Sequence, residues 1–165
     1  MDKLKKYLLI GTVFTVVVGI ISHFVYDWTG GNFLVGLFFP VNESTWEHMK
    51  LVFFPMLVYS LWATGKLKGE SECISKAFSI GILAGTFAIP VIFYTYSGVL
   101  GFDVAWINIL TFIVSVVIGF IVAYVTAETC EDDKYSRVLK LVLFVMIIAF
   151  MVFSYYPPDI GLFIE

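Results

Sequence analysis

Long apolar runs separated by short polar loops recur five times along this chain of 165 residues. They cover about Tyr7–Tyr26, Thr45–Thr64, Ile74–Ser97, Val104–Ala127 and Val138–Tyr156. Each approaches the ~20 residues that an α-helix needs to cross the ~30 Å hydrocarbon core of a bilayer. Runs of this kind must be helical, because every backbone group unpaired in hydrocarbon costs several kcal/mol. The pattern predicts an all-α polytopic membrane bundle of five transmembrane helices, a single domain over residues 1–165 without repeat or linker. Between the first two spans, "FLVGLFF" is as apolar as a span but far too short to cross. It predicts a re-entrant or interfacial segment after the first helix, with Gly30, Gly31 and Gly36 supplying permissive backbone.

Composition supports the lipid reading. Hydrophobic residues make up 60% of the chain and charged residues 14%, against about 25% charged in a typical soluble domain. The mean hydropathy is +0.95. A net charge of −3 without a basic patch excludes a nucleic-acid partner and leaves the lipid bilayer as the main one. The basic start "MDKLKK" before an apolar run resembles a signal peptide, but no A-x-A-like site follows, so it reads as an uncleaved first helix. Cys73 and Cys130 fall in different polar loops rather than in a CxxC pair, and are expected to be two reduced thiols.

Basic residues predict an orientation. Of the ten lysines and arginines, Lys3, Lys5, Lys6, Lys66, Lys68, Lys76, Lys134, Arg137 and Lys140 fall on one side of a five-span chain, and only Lys50 falls on the other. The positive-inside rule then places the N-terminus in the cytoplasm and the C-terminus outside, in the cell membrane. Trp28, Trp46, Trp106, Tyr155 and Tyr156 would belong to an aromatic belt at the outer interface. Within the bundle, Gly81 and Gly85 form a small-xxx-small pair that lets a neighbouring helix approach closely. Pro55 and Pro90 lie inside the second and third spans and predict kinks there.

Polar chemistry concentrates in "PVNESTWEHMK", Pro40 to Lys50. Ser44 followed three residues later by Glu47 has the form of a capping box, and Asn42 is a second cap. At about 1.5 Å per residue, Glu47 and His48 lie roughly 5–6 Å below the outer boundary and Lys50 roughly 9 Å below. His23, near the outer end of the first span, reaches a similar depth, and Asp27 one turn later shares its face and can orient the imidazole. Ionisable groups inside a membrane are rare and usually face an interior cavity.

The ligand-binding candidates are therefore His23, Asp27, Asn42, Glu43, Trp46, Glu47, His48 and Lys50. The favoured reading is an outward-facing site for a small solute or ion, with Lys50 as counter-charge and Asn108 and Thr111 contributing. Alternatively, His23, His48 and Glu47, with Asp27 or Glu43, hold a divalent metal in a membrane-embedded hydrolase or transferase, or the cluster is a structural polar knot of His23–Asp27 and Glu47–Lys50 pairs. No HExxH-type spacing and no nucleophile elbow is present. A homo-oligomer or a cytoplasmic partner subunit is compatible with either reading.

The block "HFVYDWTGGNFLVGLFFPVNESTWEHMKL", His23 to Leu51, resembles the signature of an uncharacterised family of small bacterial integral membrane proteins, built on HFxYDWxG and PVNESxWEH elements. The tail "YYPPDIGLF" is similar to that family's closing motif, after which its members are expected to continue. The resemblance implies His23, Asp27, Asn42, Glu43, Trp46, Glu47 and His48 as positions to test, and implies no activity.

Overall fold

The computed structural model describes residues 2–164. Among them are six α-helices and no strand. The helices are α1 (Lys3–Trp28), α2 (Phe33–Gly36), α3 (Thr45–Leu67), α4 (Ile74–Leu100), α5 (Ala105–Thr129) and α6 (Ser136–Phe153), followed by a 3₁₀ turn at Gly161–Phe163.

Four helices, α1, α4, α5 and α6, are long and apolar enough to cross a membrane, not five. The exception is α3, which has the length but not the composition. Its place in the fold explains the difference. Fourteen of its 23 residues are buried, because α1, α4, α5 and α6 all pack around it. A helix enclosed by protein can satisfy polar side chains internally, and α3 carries Glu47 and Lys50 at 1% exposure each. The outer helices lack that option. Leu9, Val13, Val17 and Phe24 on α1, and Leu141, Phe144 and Val145 on α6, remain exposed on the periphery, an outside-apolar pattern that suits lipid.

The close approach predicted at Gly81 and Gly85 is present between α4 and α5. A Cβ added to Gly81 would fall 2.5 Å from the Gly119 carbonyl oxygen, and one added to Gly85 would fall 2.9 Å from that of Ser115. Small residues thus bring two backbones together where lipid-like side chains offer no hydrophobic driving force for association. Pro55 and Pro90 lie within continuous helices α3 and α4.

One end of the bundle collects the start of α1, the α3–α4 and α5–α6 loops, and most of the lysines. Lys3 pairs with Glu70 at 3.2 Å, and Lys76 donates to the Asp132 carbonyl at 2.9 Å. Cys73 and Cys130 also meet there. They form a disulfide with a Cα–Cα distance of 6.1 Å, which corrects the expectation of two reduced thiols. Residues 57 apart in sequence come together because α4 and α5 form an antiparallel hairpin whose open ends coincide.

The opposite end holds the remaining polar groups. Gly30 and Gly31, at φ +69° and +74°, turn the chain out of α1 through the left-handed region that only glycine enters without strain. The segment that follows carries the short α2 and folds back over the bundle end. Phe33, Leu34 and Phe38 stay exposed, whereas Gly36 and Pro40 are buried.

Candidate functional site

Ser44 starts α3 as expected, its hydroxyl accepting from the Glu47 N–H at 3.4 Å. The reciprocal half of the box is distributed differently. The Asn42 side chain accepts from the Ser44 N–H at 3.1 Å, and the Glu47 carboxylate accepts from the Val41 N–H at 2.9 Å. This turn fixes the entry to α3 and sorts its charged residues into two groups.

The first group is a sealed ion pair. Lys50 Nζ lies 2.7 Å from Glu47 Oε2, with both side chains essentially unexposed. Lys50 also donates to the Gly36 carbonyl at 2.9 Å, the Phe39 carbonyl at 3.3 Å and the Ser154 hydroxyl at 2.5 Å. The Ser154 hydroxyl in turn reaches Glu47 Oε1 at 2.8 Å. Every donor of the ammonium has an acceptor, which is the condition under which a buried pair survives its desolvation. The pair ties the α2 segment and the end of α6 to α3. Lys50 is therefore not a free counter-charge, and Glu47 is not beside the histidines, because its carboxylate oxygens are already occupied. Trp46 belongs to the same core: its ring lies 4.6 Å from Phe150 and 4.9 Å from Phe163, with 6% exposure, rather than in an interfacial belt.

The second group is open. Glu43, 67% exposed at its side chain, places Oε2 at 3.5 Å from His23 Nε2 and 3.4 Å from His48 Nε2. The two imidazole rings are 5.3 Å apart. His48 Nδ1 lies 2.9 Å from the Ser44 carbonyl oxygen. A carbonyl only accepts, so Nδ1 must carry a proton, which leaves Nε2 as the ring atom that faces Glu43. The carboxylate that joins the histidines is thus Glu43. The Asp27 side chain is exposed and makes no hydrogen bond or ion pair among the described residues, so the expected His23–Asp27 pairing is absent.

Glu43 and His48 stand on the wall of a cleft of about 870 Å³ that runs between α4, α5 and the C-terminal turn. Ile89, Phe93 and Tyr94 line it from α4, and Asn108, Thr111 and Phe112 from α5. Asp103, in the α4–α5 turn, supplies a second carboxylate to the lining. Asn108 is fully engaged: its Nδ2 donates to Asp103 at 3.2 Å and its Oδ1 accepts from the Tyr96 hydroxyl. The Thr111 hydroxyl is buried and has no partner among the described residues. Tyr94 donates to the Gly161 carbonyl at 2.9 Å and so holds the tail over this side.

Sequence reasoning singled out neither Asp103 nor Ser154 at this end of the bundle. Asp103 had a signal, being the lone acid in a short turn at the polar end. Ser154 had none, since nothing local marks a serine as the partner of residues more than a hundred positions away.

Four apolar helices around a polar central one fit the class of multi-pass helical membrane proteins. Within that class the chain belongs to a family of unknown function, DUF6512, whose model matches residues 1–165. Comparison with curated proteins found no match, and neither did comparison with solved structures.

Proposed function

We propose that this protein binds a small cation in the cleft at the polar end of a membrane-embedded bundle. The supporting observation is the sign of the lining. Glu43 and Asp103 contribute two carboxylates and His48 an imidazole, while no lysine or arginine lines the cleft among the described residues. Lys50, the one lysine or arginine at that end among the described residues, is consumed by Glu47. A cleft of about 870 Å³ falls within the ~300–1,000 Å³ typical of small-ligand sites. Phe93, Tyr94 and Phe112 add aromatic faces that attract cations.

In this reading α3 crosses with the other four helices, its 23 residues spanning about 34 Å at the helical rise. The lysine-rich end lies in the cytoplasm and the cleft opens outside. The disulfide at the lysine-rich end argues the other way, because such cross-links are rare in reducing compartments. Charge takes precedence in this reading, since the lysine and arginine bias sets the orientation as the helices insert.

The test is thermal unfolding of the purified protein in detergent with added choline, tetramethylammonium or divalent cations, and separately with acetate or phosphate. Ligand at a hundred times its dissociation constant stabilises by ~2.7 kcal/mol. Cations are expected to stabilise the wild type, and a Glu43→Gln/Asp103→Asn variant is expected to lose the effect. Stabilisation by anions alone, or by nothing, refutes the proposal.

A further inference from the structure

We infer that the cation site contains a transition-metal centre, in which His23 Nε2, His48 Nε2 and a Glu43 carboxylate oxygen ligate one divalent ion of the zinc type. This inference rests on the cation-accepting cleft and specifies its ligand.

The spacing carries the argument. Glu43 Oε2 stands 3.5 Å from one imidazole nitrogen and 3.4 Å from the other. Both are long for an N–H···O hydrogen bond, whose usual separation is ~2.9–3.0 Å. They match instead the separation of neighbouring donors on a tetrahedral ion, which metal–ligand bonds of about 2.0–2.2 Å place roughly 3.4 Å apart. All three donor atoms lie within 4.8 Å of one another. The two nitrogens are the pair that must draw together on an ion, and His23, 30% exposed at its side chain, has room to turn.

The surroundings favour the same assignment. His48 gives its other ring proton to the Ser44 carbonyl at 2.9 Å, as metal-bound histidines do to fix the tautomer and aim the free lone pair. The ligands come from α1, from the turn before α3 and from α3, so an ion would cross-link α1 to the turn and helix that the buried Glu47–Lys50 pair anchors. Two imidazoles and one carboxylate suit zinc and its neighbours. Calcium and magnesium, which prefer oxygen throughout, fit poorly. Three protein ligands leave one tetrahedral position open. Glu43 and His48 both line the cleft, so two of the three ligands border the solute space.

The experiment titrates chelator-treated full-length protein in detergent with Zn²⁺, reading bound metal by mass spectrometry and affinity by competition with a chromophoric chelator. The wild type is expected to take up one equivalent per chain. His23→Ala and His48→Ala are expected to weaken binding by more than the ~10–100-fold that loss of an outer-shell partner alone costs. Glu43→Gln, at a mostly exposed side chain, tests the third ligand without endangering the fold, and is expected to weaken binding at least tenfold. Asp27→Asn is expected to bind as the wild type does. Absence of stoichiometric zinc in the wild type, or unchanged binding in both histidine variants, overturns the metal centre. If tetramethylammonium still stabilises the wild type in an Asp103-dependent manner after that outcome, the cation-accepting cleft stands and only the metal centre falls. If it does not, both readings fall.

Discussion

Replacing Lys50 with methionine probes the interaction that holds the polar end together. The methionine keeps an unbranched stem of similar reach and removes only the ammonium. In the wild type that ammonium faces Glu47 at 2.7 Å and three further oxygens, those of Gly36, Phe39 and Ser154, at 2.9, 3.3 and 2.5 Å. Its removal leaves a buried carboxylate with two neutral donors and no counter-charge, and strands two backbone carbonyls. Breaking a buried pair from one side costs ~3–5 kcal/mol, and Lys50→Met is expected to fall in that range. Glu47→Gln should cost a similar amount, since it leaves the ammonium uncompensated. The double variant removes both charges together but still strands the Gly36 and Phe39 carbonyls, at ~1–3 kcal/mol each. It should therefore be no less stable than the worse single variant, well short of additivity. Reversible unfolding in mixed micelles, followed by helicity, measures all three. Hydrogen exchange should show the loss concentrated in residues 33–43, where Lys50 holds the Gly36 and Phe39 carbonyls. A Lys50→Met protein within ~1 kcal/mol of wild type, or two single effects that simply add, would refute this account.

Gly81→Ala should cost ~1–3 kcal/mol by overpacking, because its Cβ would meet the Gly119 oxygen at 2.5 Å; Gly98→Ala, which meets open space, is the neutral comparison in the same unfolding assay. Unreduced, denatured protein should react with no thiol reagent, and labelling of both cysteines would disprove the cross-link. Cys73→Ser should cost less than the ~4 kcal/mol that loop-closure entropy assigns to a separation of 57 residues, since α4 and α5 stay helical when a membrane protein unfolds within its lipid phase. In a Cys73→Ser/Cys130→Ser background, a cysteine at position 159 should react with an impermeant maleimide added to intact cells, and one at position 68 should not; the opposite pattern would invert the proposed orientation.

Hydropathy alone determined the helical class and the positions of the long helices. Their bounds moved by only a few residues, because the length of an apolar run is set by the solvent it must cross and needs no knowledge of neighbours. The small-residue contact was legible for a similar reason, Gly81 and Gly85 sharing one face by helical spacing. The Ser44 cap was legible because capping is local. Which helix is central was not, and that is why α3 was counted with the apolar spans: enclosure by four other helices is a property of the fold, and only enclosure makes Glu47 and Lys50 tolerable. The same limit governs the site. Within a few residues of sequence, Glu43 and Glu47 look equivalent, both acidic and near His48. The tertiary structure separates them: the returning α2 segment and Ser154 of α6 capture Glu47, while Glu43 remains outside to face His23 and His48. The disulfide was equally invisible, since two loop cysteines become neighbours only when α4 and α5 close into a hairpin. Local physics wrote the helices into the chain, and the choice of partners for each charge waited for packing across it.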